Sequence, residues 1–332
     1  MMKSISLLSL PLLGMLFSLL FVSCEKERLD PNSVVDANAH TLTPTELDAW
    51  ITTNVVKPYN IEVVYRWDKN VAGVGTSVYP PKLEKVQAVL EAVCELGLEL
   101  YTHPSLGGEN FLRERTPLRI VLYGGGNPDN NGVERLYNPQ TSAAELSLYH
   151  VNDYDPGAEE QVYVLMRSVH HQMARRLLEL LPYDRDAFLK ISESRYTRGS
   201  TDVIAPPIGS YTALKEKFGL NGWANQRGCY TMLSLLSAED DFAEIISATL
   251  VSSPQEINAA LTRAGTPEDE GDPDPDPEVH QRYAREAEQA YKEFSAKQQF
   301  VTAYIRKSWG VDFLRLQLAS VRRIDTYLKN HK

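Results

Sequence analysis

Cysteine is scarce, with three in 332 residues. Beyond Cys24 only Cys94 and Cys229 remain, too few for a disulfide scaffold or a structural zinc site. They could pair with each other in an oxidising compartment. The amphipathic pattern around Cys94 favours a buried free thiol instead. Basic clusters are also missing. No run of Lys or Arg offers a phosphate track, and the net charge of −10 argues against nucleic-acid binding. No glycine-rich phosphate loop joins a strand to a helix. Gly124-Gly125-Gly126 follows an apolar run but is trailed by Asn127-Pro128-Asp129, which reads as a turn. There is no G-x-S-x-G nucleophile elbow and no internal repeat. Asp272, Asp274 and Asp276 have the spacing of a calcium loop, but Pro273, Pro275 and Pro277 exclude EF-hand geometry.

What is present is ordinary globular composition, 43% apolar and 23% charged, enough for a large core in one or two domains. The apolar residues crowd into positions 1–23, where Lys3 is the sole charge. This pattern reads as a secretory signal, with a membrane anchor as the alternative. Pro11 and Gly14 weaken the anchor reading. Phe21-Val22-Ser23-Cys24 resembles a bacterial lipobox, with Phe21 in place of the usual Leu, and makes Cys24 the expected lipidation site. Glu25-Lys26-Glu27 resembles the acidic export signal of surface lipoproteins, although any solvated tether would also be charged.

The polar stretch 24–42 reads as a tether. Thr43-Pro44-Thr45-Glu46 carries helix-start chemistry, and that helix is expected to run to about Thr53. Asn60–Trp67 alternates as a half-buried strand. Helical spacing follows from Leu83 to about 101, strands over Leu118–Tyr123 and Leu146–Val151, and a long helix over 158–181 ended by Pro182. Shorter helices are expected at 211–218, 229–236 and 238–250, and one opening at Ser253. Seven acidic residues and no basic one stand between Glu268 and Glu278, so 266–278 reads as an acidic, Pro-rich linker. Helices at about 279–308 and 311–329 follow, with Gly310 between them.

Chemistry concentrates in two places. His170 and His171 adjoin in the long helix, and Asp240, Asp241 and Glu244 open a later one. A His-bearing helix followed by an acidic helix resembles zincins. There HExxH sets two His one turn apart on a single zinc, and the Glu activates water. Taken alone, the His pair could be ordinary helix residues, and the acids a first turn favoured by the helix dipole.

Several segments make the resemblance specific: the lipobox; Pro58-Tyr59-Asn60-Ile61-Glu62-Val63-Val64-Tyr65-Arg66-Trp67-Asp68; the helix around His170; Asp240-Asp241-Phe242-Ala243-Glu244; and the run from Phe300 through Tyr304, Trp309 and Asp312 to Leu316. Together they resemble the zinc metallopeptidase lipoproteins of Bacteroidetes, also described as substrate import-associated zinc metallohydrolase lipoproteins. The resemblance implies an α+β, zincin-like fold over 43–265, with a small sheet of three or four strands and a central active-site helix. A helical C-terminal segment over 279–330 would pack against it or follow the linker. It further implies zinc as cofactor and an outer-membrane lipid anchor in the cell envelope. The implied partners are a TonB-dependent importer with its surface-binding lipoprotein, and a peptide or glycan ligand.

The site departs from the family's pattern, whose helix reads close to HHEFAH. With His170 and His171 on the leading His, Gln172 falls on the catalytic Glu and Arg175 on the second zinc His. Gln is no general base, and Arg has no lone pair for a metal. A one-residue shift is no better, since it sets His171 on the Glu and Ala174 on the second ligand. Asp240 falls on the third-ligand position, Glu244 lies one turn on, and Asp241 points about 100° away. The expected remnant is His171, Asp240 and Glu244, with Arg175 in the metal's place and paired to one of the two acids.

Overall fold

The computed structural model describes residues 44–67 and 78–332. The signal, Cys24, the tether and the Thr43 helix cap lie outside them. Residues Glu46–Lys332 form one compact unit.

The first helix, α1 (46–59), is longer than expected, because a π-helical segment Thr52–Val56 carries it on to Lys57–Tyr59. It stops at Asn60, whose left-handed backbone (φ 54°) brings its amide to Val56 O at 2.8 Å. Asn tolerates that conformation at a helix end. The expected strand Asn60–Trp67 therefore shortens to β1 (Glu62–Val64). Helix α2 (83–102) follows, again with a π-helical middle, then β2 (Arg119–Leu122) and β3 (Glu145–Leu148). The three strands pair in the order β1-β2-β3, all parallel, with Val63 opposite Ile120 and Val121 opposite Ser147.

Helix α3 (Glu159–Leu180) is the axis of the molecule. From Val162 to Ala174 nearly every side chain is buried, polar ones included, so it has core on all sides. At Gly97 of α2 a Cβ would come within 2.9 Å of Val169, which marks how closely α2 lies on α3. Asp184 caps α4 (Arg185–Ser192), which the sequence reading had not delimited. Between α4 and Ser237 the expected helices at 211–218 and 229–236 shrink to the turns Leu214–Phe218 and Met232–Leu235. Helix α5 (Ala238–Val251), capped by Ser237, lies against α3 and exposes only Glu239 substantially. Helix α6 (Pro254–Ala264) begins with the capping box Ser253/Glu256.

The acidic stretch is a short exposed turn between α6 and α7 (277–309), and Asp276 caps α7. After Gly310 (φ 70°) comes α8 (Phe313–His331). These C-terminal helices share the central core. Phe300 and Tyr304 of α7 meet Phe242 of α5, and the Tyr304 hydroxyl donates to Leu181 O.

A fully buried ion pair reinforces the join. Lys297 of α7 lies 2.8 Å from Asp241 of α5, and its ammonium also donates to Gly228 O. Removing one member strands a buried charge, at about 3–5 kcal/mol. Lys297→Met is expected to lower unfolding stability by that order in denaturant titrations. Adding Asp241→Asn should recover much of the loss.

Candidate functional site

Helices α3 and α5 bring the expected site residues that lie among the described ones into the molecular centre. They do not make one cluster. His170 points towards α2, where its Nδ1 shares a hydrogen bond of 3.0 Å with the Tyr101 hydroxyl. Burial, with Arg167 adding to it, pushes its pKa down to about 3, so the ring is neutral and structural. Asp241 points to the other side and belongs to the Lys297 pair, also accepting from the Tyr196 hydroxyl.

His171, Arg175 and Asp240 do converge, and the group they converge on is Tyr137. Its ring stacks on His171 with centroids 5.0 Å apart and planes 15° from parallel. The Arg175 guanidinium lies 3.9 Å from the same ring's centre. The Tyr137 hydroxyl donates to Asp240. The other Asp240 oxygen accepts from Ser237 at 2.7 Å. Burial, and then the neighbouring carboxylate, push the Tyr137 phenol up, which keeps it a donor. The expected ion pair from Arg175 to an acid is not formed. Arg175 makes a cation–π contact instead.

The charge on Glu244 is met by Arg167, one turn before His171 on the same face of α3. Arg167 is fully buried. It donates to Glu244, to Ser247 and, at 2.9 Å, to Phe218 O. Glu244 also accepts from Thr231, and its second oxygen lies 2.8 Å from His171 Nδ1. Burial alone would raise the Glu244 pKa. The Arg167 guanidinium, with His171 and Thr231, holds it down to about 2.

Gln172 is wholly occupied. Its side-chain oxygen accepts from Ser147 N at 2.8 Å, and its amide nitrogen donates to Ser147 O at 3.0 Å and Leu136 O at 3.2 Å. A carboxamide can do both at once, and a carboxylate has no proton to donate.

These residues do not make a zinc-binding set. A zinc site takes three or four N, O or S donors. Arg175 offers none, the Gln172 oxygen is turned to Ser147, and the Asp240 carboxylate is held by Tyr137 and Ser237. His171 Nε2 is buried without a partner, but it stands alone. Among the described residues no three His, Cys, Asp or Glu side chains are grouped so as to hold a metal.

Tyr137 and Arg167 were missed in the sequence. Tyr137 sits in an irregular loop with no periodicity to mark it. Arg167 did leave a signal, since Arg167, His171 and Arg175 recur every four residues on one helix face.

A family model described as "Putative zinc-binding metallo-peptidase" matches residues 40–314. The crystal structure of a putative zinc-binding metallo-peptidase from Bacteroides caccae is similar in fold. It has a TM-score of 0.59 at 21% identity, covering 85% of this chain and 93% of that one. No curated protein matches the chain.

Two substitutions probe the cluster. Gln172→Glu is expected to destabilise by about 1–3 kcal/mol or more, since two carbonyls lose their donor. Equilibrium unfolding in urea measures this. Glu244→Gln removes the partner of a buried guanidinium and should cost about 3–5 kcal/mol at neutral pH. The folded pKa of Glu244 is depressed, so its contribution is complete above its ordinary value of 4.5. It is lost as pH falls towards about 2. The stability gap between wild type and Glu244→Gln should close over that window.

Proposed function

The chain belongs to this zinc-binding metallopeptidase family, and we propose that it is a member whose metal centre has been replaced by a side-chain cluster, so that it acts by binding rather than by hydrolysis. The observation that carries this reading is Tyr137. One side chain touches the three positions, 171, 175 and 240, that the family resemblance assigns to the metal. Arg175 supplies positive charge where zinc would have done so. Gln172 stands where the water-activating Glu is expected and cannot take a proton near neutral pH.

In this reading the protein is an outer-membrane lipoprotein anchored through Cys24. It works beside a TonB-dependent nutrient importer and holds a peptide or glycan for uptake. The lipobox, the acidic stretch after it and the family resemblance support that placement. An active zinc-dependent peptidase is the competing reading, favoured by the unpartnered His171 Nε2.

Residues 25–332, purified and assayed for zinc by elemental analysis and for cleavage of a peptide library, separate the two. The expected result is sub-stoichiometric zinc and no cleavage. Stoichiometric, chelator-sensitive zinc with cleavage would overturn the proposal. A triple variant, Tyr137→Ala with Gln172→Glu and Arg175→His, is expected to gain zinc. If it gains none, positions 171 and 175 are not the metal positions.

A further inference from the structure

A second feature lies apart from the Tyr137 cluster. A cavity of about 590 Å³ opens beyond the carboxyl ends of β2 and β3. That is where parallel sheets place their ligands, and the volume suits a small molecule. Its walls are largely apolar: Val133, Leu136, Leu165, Ile208, Leu214 and Phe218 contribute. The Leu136 carbonyl accepts from both Ser168 and Gln172, which ties the wall to α3 between the cavity and Tyr137.

The charges around the cavity are unequal in freedom. On one wall, Glu134 and Asp153 are committed to His150, whose Nε2 lies 2.9 Å from Glu134 and Nδ1 3.2 Å from Asp153. The fold is shaped around that trio. His150 adopts a left-handed backbone (φ 59°), and a Cβ on Gly126 would sit 1.8 Å from a Glu134 oxygen. The glycine run after β2 is thus used for close side-chain approach. On the 204–218 wall stands Lys217, half-buried and forming no ion pair with a described residue. Its neighbour Lys215 differs, pairing with Glu256 at 3.2 Å. Arg135 also lines the cavity and donates to Gly199 O at 2.8 Å.

We propose that this cavity binds an aliphatic monocarboxylate, with the alkyl body in the apolar chamber and the carboxylate on the Lys217 ammonium. The apolar walls favour a long hydrocarbon over a sugar or a polar peptide. With Glu134 and Asp153 held by His150 and Arg135 tied to Gly199 O, Lys217 is the charge left for a ligand to neutralise. The site is independent of whether the metal centre is lost.

Isothermal titration of residues 25–332, which contain the whole compact unit, is the test. Decanoate, decanol and decylamine are compared below their aggregation limits. Decanoate is expected to bind saturably at one per chain, with decanol and decylamine weaker by about tenfold or more, equivalent to one charge-assisted contact. Lys217→Gln should weaken decanoate about tenfold and leave decanol unchanged. Ile208→Trp, which fills the chamber, should abolish both, with thermal melts reporting that each variant is folded. Three results would overturn the proposal: no saturable decanoate binding, decylamine equal to or tighter than decanoate, or a folded Lys217→Gln that binds decanoate as wild type does.

Discussion

The contact between Arg167 and Glu244 governs the rest of the molecule. It joins the two most buried helices, α3 and α5, through charges wholly removed from water. Such a pair is tolerable only when every donor and acceptor is used. Here the guanidinium spends its remaining donors on Ser247 and Phe218 O, and the carboxylate also takes Thr231 and faces His171. These contacts hold one face of α3 against one face of α5. In that packing His170 turns to Tyr101 and Asp241 to Lys297, while His171, Arg175 and Asp240 come to one side.

What fills that side decides its chemistry. One aromatic ring contacts a stacked imidazole and a guanidinium, by dispersion and by the ring's quadrupole. Its hydroxyl then meets the carboxylate. The arrangement sets two α3 positions one turn apart and an acid from α5 around one phenol. Side chains of α3, α5 and the Tyr137 loop are thus cross-linked at this point by stacking, cation–π contact and hydrogen bonding.

Much of this was readable in the sequence where local chemistry sets structure. Ser253 and Glu256 announced α6, Gly310 separated α7 from α8, and the apolar spacing of Val162, Leu165, Val169 and Met173 marked α3. The resemblance to zinc metallopeptidases identified the family and the pairing of α3 with α5. Reading failed where a side chain's role is set by distant partners. Asn60 looked like part of a strand because its left-handed turn depends on the helix behind it. Tyr137 carried no period, and its meaning exists only once α3 and α5 have been placed beside its loop. Arg175 was matched to an acid because charge alone was visible, whereas the nearby ring was not.

Gln172 has a consequence for the sheet as a whole. Among the described residues β3 is an outer strand, and the peptide groups of such a strand invite another chain to pair with them. At Ser147 both the N–H and the C=O are taken by the Gln172 carboxamide, which has the donor and acceptor of a peptide unit. A single side chain therefore serves as the terminal rung of the ladder. The sheet is finished from within, and an extended polypeptide, whether a ligand or a second copy of this chain, finds no vacant rung at Ser147 on which to lengthen it.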